Sequence, residues 1–243
     1  MELLGVQVMN RSIFVKIVAV VVLCVFSAGT WITSGKLNVT WLQYFSASVF
    51  LATALLAIWD LFLWRTRPAQ LLPGVPRCIR GTWKGTVASL WDDPQTGEKP
   101  SQIEGYLVVR QTFKGVSLNL MTKESTSSSS LAQVVDADGT AALSYLYLNQ
   151  PRTVVRERSP IHHGSAILEV AGKPVRRLSG RYWTDRDSRG ELKFEQRCRR
   201  IADDFAEAAS YFPALESQAL TLDKNVLTSK SIPSVDYQEE GHS

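Results

Sequence analysis

The feature that most limits what this chain can become is IFVKIVAVVVLCVFSAGTWIT at residues 13–33, followed after SGKLNVT by WLQYFSASVFLATALLAIWDLFLW at residues 41–64. Each run is apolar for about twenty residues, enough for a helix to cross a hydrocarbon core roughly 30 Å thick. Trp31, Trp41, Trp59 and Trp64 sit near the ends of the runs, where indole rings favour the membrane interface. A signal peptide is the main rival for the first run. Its apolar core is ordinarily shorter, and here a second run follows at once. The pair reads as a tight transmembrane helical hairpin.

Orientation follows from the basic residues. Arg11 and Lys16 precede the hairpin and Arg65, Arg67, Arg77 and Arg80 follow it, against a lone Lys36 in the turn. The positive-inside rule therefore puts both termini in the cytoplasm. For a bacterial protein that means a two-span inner-membrane protein whose bulk hangs inside the cell. Asp60 lies close to the end of the second span. A membrane carboxylate invites a functional reading, but an interfacial Asp paired with Arg65 accounts for it more simply. Ser46, Ser48, Ala52, Ala54 and Ala57 are small enough to let two helices approach closely.

Residues 1–65 thus form a membrane unit and TRPAQLLPGVPRCI, within 66–79, a proline-rich linker. The formal charge of +4 is too small to imply nucleic-acid binding by itself. Cys24, Cys78 and Cys198 show no CxxC or Cys/His spacing, which argues against a disulfide framework and a zinc site. From residue 80 to 198 period-two patterns recur at short intervals: about 81–91, 104–113, 115–122, the serine run to Val135, 140–149, 162–170, 176–185 and 190–197. DADG and DSRG mark turns between them. Eight short strands without helices between them predict a barrel or a sandwich. Sequential hairpins favour a closed up-and-down barrel, which leaves no exposed edge. RRIADDFAEAAS at 199–210 predicts a short amphipathic helix, and the polar tail to residue 243 reads as disordered.

Alternation names the residues that line such a barrel. The inward sets are Trp83 and Val87; Leu107, Val109, Gln111 and Phe113; Val116, Leu118, Leu120 and Thr122; Leu143, Tyr145, Tyr147 and Asn149; Gly164, Ala166, Leu168 and Val170; Leu178, Gly180, Tyr182 and Thr184; and Leu192, Phe194 and Gln196. Polar and aromatic members recur near strand ends, as in a barrel with a plugged base and a polar mouth. An ordinary packed barrel with tyrosine hydroxyls at its rim fits the periodicity equally well. The run MTKESTSSSS (121–130) is framed by strands. It reads as a turn at Lys123 and Glu124 followed by a strand whose Ser125, Ser127 and Ser129 share one face; a loose edge in a partly open barrel is the alternative.

Motifs for chemistry are largely missing. No GxSxG, HExxH or P-loop occurs, and adjacent His162 and His163 on a strand would point to opposite faces. Neither an enzyme nor a cofactor or metal site is expected. Arg176–Arg177 and Arg199–Arg200 are basic doublets that suit a solvated face, an anionic headgroup or a phosphate.

The order of these segments carries a resemblance. A membrane hairpin followed by RGTWKGTV, QTFKGVSLNLMTKESTSSSS, DGTAALSYLYLNQP, HHGSAILEV and LSGRYWTDRDSRGELKF resembles the two-transmembrane β-barrel effectors of CBASS anti-phage systems, over roughly residues 10 to 200. The resemblance implies a minimal lipocalin-like barrel that senses a cyclic dinucleotide made by a partner nucleotidyltransferase. It further implies ligand-promoted oligomerisation in the inner membrane, disruption of the bilayer and abortive infection. Gln111, Thr122, Ser125, Ser127, Tyr145, Tyr147, Tyr182, Thr184 and Arg186 are then the candidate ligand-binding residues: aromatic rings stack on bases, while hydroxyls and guanidinium groups hold phosphates. A membrane-tethered carrier, or a barrel that only binds proteins, is the competing reading.

Overall fold

The computed structural model describes residues 16, 19–31, 40–90, 102–137 and 140–213. Helix α1 spans Ala19–Trp31 and helix α2 spans Thr40–Leu61. The stretch Gln43–Arg65 is long and apolar enough to cross a membrane; α1 is apolar but shorter. The expected turn of the hairpin, and most of the expected disordered tail, lie outside the described residues. The small-residue reading resolves onto two positions of α2: Ser48 and Ala52 are buried, whereas Ser46 and Ala57 are exposed. Gly29 of α1 lies so close to Tyr44 that a Cβ would stand 3.2 Å from the ring.

Eight antiparallel strands follow: β1 (Gly81–Ser89), β2 (Ile103–Gln111), β3 (Val116–Thr122), β4 (Ser125–Ala137), β5 (Thr140–Pro151), β6 (His162–Ala171), β7 (Arg177–Thr184) and β8 (Arg189–Cys198). Each pairs with its sequence neighbours, and β1 with β8, which closes the barrel. The expected all-β meander is therefore present.

Since the strands alternate in direction, the barrel has two distinct ends. The base gathers the β2–β3, β4–β5 and β6–β7 connections with the linker and the end of β8; the mouth gathers the remaining connections. In the lower half Trp83, Leu107, Val109, Leu143, Leu168, Leu178 and Phe194 are all fully buried. Removing each such side chain from water stabilises the fold by about 1.5–3 kcal/mol.

The last residues of the expected linker are part of this core. Ile79 is fully buried and plugs the base. Its N–H donates to Gln111 Oε1 at 2.8 Å, its carbonyl accepts from Trp83 Nε1 at 2.8 Å, and Gln111 Nε2 donates to the Arg77 carbonyl at 3.0 Å. Arg77 in turn donates to the Val170 carbonyl at 3.0 Å.

Two irregularities break the alternation on which the inward sets rest. A bulge between Ser129 and Leu131 leaves Ser130 over, so that Ala132 and Val134 face the core beyond it. Another, at Lys84/Gly85 against Phe194 and Gln196, turns Gln196 outward to solvent. Arg197 takes its place, its guanidinium 5.1 Å from the Trp83 ring centre. Phe113 also departs from the expected lining: it lies in the β2–β3 turn, edge-on to Trp59 and Trp64. The same turn fixes the end of α2, because Asp60 accepts from Phe113 N through its carbonyl and from Lys114 N through its carboxylate, both at 3.1 Å. Asp60 thus caps a turn of the barrel, where a pairing with Arg65 was expected.

The amphipathic segment packs against the barrel wall. Helix α3 (Phe205–Ser210) is capped by Asp204, whose side chain accepts from Glu207 N. Phe205 and Phe212 cover Tyr106 on the outer face of β2, at 5.2 and 5.9 Å between ring centres.

Candidate functional site

The mouth is built from rings beside gaps. Tyr145 stands between Ala132 and Ala166 on the flanking strands, Tyr147 between Ser129 and Gly164, and Tyr182 between Ala166 and Gly190. A Cβ at Gly164 would collide with the Tyr147 Cζ and hydroxyl, and one at Gly190 would lie 2.6 Å from Tyr182 Cε1. Only glycine lets those two rings lie flat against the wall. Tyr145 and Tyr147 are 5.7 Å apart between ring centres and tilted by 44°. Burial raises the hydroxyl pKa of all three; the neighbouring phenol adds to the effect on Tyr145, and a hydrogen bond with Ser89 partly offsets it on Tyr182. All three are neutral phenols at physiological pH, able both to donate and to accept.

Small polar groups surround the rings. Asn149 Nδ2 donates to Ser127 Oγ at 3.1 Å and to Ser125 Oγ at 3.4 Å, and Ser125 Oγ lies 3.2 Å from Thr122 Oγ1. Ser129 turns to the wall, accepting from Leu118 N at 2.9 Å where the β3–β4 ladder ends. The serine run is thus ordered strand, and its hydroxyls divide between lining the mouth and closing the wall. Across the mouth Thr184 Oγ1 lies 2.6 Å from Ser188 Oγ. Arg186, exposed on the rim, reaches Ser159 Oγ at 3.4 Å.

Thr122, Ser125, Ser127, Tyr145, Tyr147, Tyr182, Thr184 and Arg186 are therefore gathered at one end of the barrel. Gln111 is not. Strand β2 runs from mouth to base, so its last residue lies at the far end, where both amide atoms of Gln111 are used in holding the linker. Alternation reports which face a residue occupies, but not which end.

Two groups at the mouth escaped the sequence reading. His162 pairs with Asn149 in register and is buried. Its parity with Gly164 and Ala166 was the available signal. Its Nδ1 lies 3.0 Å from the Pro160 carbonyl, and burial lowers its pKa. The β5–β6 connection also carries Arg152, Arg156 and Arg158 to the rim. Arg156 donates to the Pro151 carbonyl at 3.2 Å, and Arg158 bridges to Glu124 at 2.8 Å. By contrast, the doublets Arg176–Arg177 and Arg199–Arg200 both lie at the base.

The mouth also holds buried polar atoms with no partner among the described residues: the Tyr145 hydroxyl and Asn149 Oδ1. Leaving such a group unpaired costs about 1–3 kcal/mol. A ligand with hydrogen-bonding edges and flat rings would supply the missing partners.

Fold and mouth define the class: a small closed-meander barrel, preceded by a helix of transmembrane length, with tyrosines, hydroxyls and arginines gathered at one end. The profile of the family described as Cap15, cyclic dinucleotide receptor domain, matches residues 75–196. That match takes in the barrel as far as Gln196 of β8, together with the linker residues that plug its base. The chain belongs to this family. It is also 24% identical over 159 residues to CD-NTase-associated protein 15 of Staphylococcus schleiferi, covering 65% of this chain and 82% of that protein.

Proposed function

We propose that this protein is a CBASS effector whose barrel mouth binds a cyclic dinucleotide, and that binding drives oligomerisation and disruption of the bilayer. Family membership gives the ligand class. The observation that carries the site is the pair of buried atoms without a partner among the described residues, Tyr145 hydroxyl and Asn149 Oδ1, beside the tyrosine rings. The bases stack on Tyr145, Tyr147 and Tyr182, the mouth hydroxyls pair with base edges, and Arg152, Arg156 and Arg186 hold the phosphates. Its role is receptor and not enzyme, with the ligand supplied by the linked nucleotidyltransferase.

The membrane part of the proposal is an antiparallel pair, α1 and α2, with both termini in the cytoplasm of a bacterial inner membrane. The close approach of Gly29 to Tyr44 and the buried Ser48 and Ala52 support two packed helices. The residues that bracket α2 and the linker support the orientation, Arg65, Arg67, Arg77 and Arg80 lying on the barrel side. Since α2 meets the barrel at its base, the mouth faces away from the bilayer, within reach of a soluble ligand.

The test is thermal stabilisation of the full chain in detergent across a panel of cyclic dinucleotides. A shift with at least one member, lost in a Tyr145→Ala/Tyr182→Ala variant, is expected. No shift with any member would remove the receptor reading. Toxicity on induction that persists after deletion of residues 1–65 would remove the membrane part alone.

A further inference from the structure

A second site lies at the opposite end of the barrel. Where the end of α2 meets the base, a groove of about 640 Å³ is bordered by Arg65 from beyond the helix, Arg80 from the end of the linker and Arg110 from β2. Its apolar border comes from Leu61, Phe62 and Ile201. Among the described residues no carboxylate lines it. Arg110 pairs with Asp203 at 2.8 Å beside the groove, and Arg65 rests 5.3 Å from the centre of the Phe62 ring. The Asp60 carboxylate is turned to the Lys114 amide.

We infer that this groove binds the headgroup of an anionic glycerophospholipid from the leaflet in which α2 ends. Three guanidinium groups suit a phosphate. The exposed Leu61 and Phe62, 47% and 60% accessible, suit the start of an acyl chain. A free phosphate would use the arginines but leave that apolar border wet, which is why a lipid fits better than a soluble anion. The inference rests on the membrane reading proposed above, since Leu61 to Arg65 close the stretch of transmembrane length. Basic pockets at this depth are a recurring means of anionic lipid recognition. The site is separated from the mouth by the length of the barrel, so the two ligands do not compete.

The experiment places the full chain in nanodiscs of phosphatidylcholine, alone or mixed with phosphatidylglycerol, and reads the lipids it retains by native mass spectrometry. Wild-type protein is expected to retain phosphatidylglycerol preferentially, and Arg80→Gln/Arg110→Gln to weaken that preference about fivefold per arginine removed. Arg65→Gln gives an independent variant, since that side chain comes from beyond α2 and rests on the Phe62 ring. Both variants should keep the thermal shift with cyclic dinucleotide. Equal retention of the two lipids by wild type, or an unchanged preference in both variants, overturns the groove. Displacement of the lipid by cyclic dinucleotide reassigns it to the nucleotide and also overturns the inference. Failure of the chain to enter any nanodisc overturns the membrane reading itself, which is a different result from entry without preference.

Discussion

The two ends of the barrel use the same residue types to opposite purpose. At the base, Gln111 spends both amide atoms on the backbone of residues 77 and 79, and the Trp83 indole closes the loop on Ile79. At the mouth, hydroxyls bond mainly to each other, and Tyr145 has no partner among the described residues. The base is not free of unpaired atoms either: among the described residues Trp64 Nε1 and Arg197 Nε have no partner. The Arg197 side chain nevertheless donates from its terminal nitrogen to the Arg80 carbonyl at 2.7 Å. The difference lies in what the polar side chains hold: at the base they bind the linker backbone, which gives stability, and at the mouth a hydroxyl and an amide oxygen between the rings stay open to a ligand.

The strongest way to break this contrast is at Gln111. Truncation to Ala takes the acceptor from the buried Ile79 N–H and the amide donor from the Arg77 carbonyl. A loss of about 2–4 kcal/mol in unfolding free energy is expected, measurable by denaturant titration of the full chain in detergent. The affinity of the folded fraction for cyclic dinucleotide should not change. A Gln111→Ala protein of normal stability and weakened binding would return Gln111 to the ligand site.

Gly164→Ala attacks the mouth. The new Cβ displaces the Tyr147 ring from the wall and also presses on the Trp183 carbonyl, 2.9 Å away. Overpacking of this kind costs about 1–3 kcal/mol. Here binding should fall along with stability, since the ring is pushed into the mouth. Intact affinity, read by calorimetry, would show that Tyr147 does not shape the site.

The contrast also explains which parts of the molecule were legible in the sequence. Strict alternation identified the inward faces of β2, β3, β5, β6 and β7, because on a two-sided strand one face must be buried. It failed at Gln196, where a single extra residue changes the parity without leaving a compositional mark, and the bulge after Ser129 sets a new parity for the rest of β4. Gln111 is a different kind of error. The meander fixes the direction of every strand, and counting directions would have sent the end of β2 to the base. The role of Asp60 was illegible for another reason, since its partner is a backbone amide 54 residues away in sequence.

Tyr145→Phe is a smaller change with two opposite signs. Its hydroxyl is fully buried with no partner among the described residues, so removing it should stabilise the free protein by about 1 kcal/mol. The same change should weaken cyclic dinucleotide binding about three- to tenfold, the value of one ordinary hydrogen bond. A stabilised variant with unchanged affinity would mean that the ligand leaves this hydroxyl alone. Gains in stability at the expense of function are expected where a site is kept unsatisfied for its ligand.

The smallest effect concerns His162. Burial lowers its pKa from the ordinary 6.5, outweighing the Pro160 carbonyl and the Asp185 carboxylate, which raise it; Arg186 and His163 lower it further. The folded state therefore holds the imidazole neutral over a range where the unfolded chain protonates it. Well above pH 6.5 both states are neutral and the group has no influence on stability. As pH falls below that value the unfolded state binds the extra proton, so folding weakens, and it stops weakening only below the folded pKa. Carboxylates such as Glu104, whose pKa is lowered by Lys84 and Tyr106, act at more acid pH and far from this residue. The check is the melting temperature between pH 7.5 and 5.5 for wild type and His162→Asn, pH values chosen to bracket the ordinary histidine pKa of about 6.5. The wild type should lose stability on acidification and the variant should lose less. Parallel curves would mean that the mouth accommodates the charged ring, and that its packing is looser than its buried tyrosines imply.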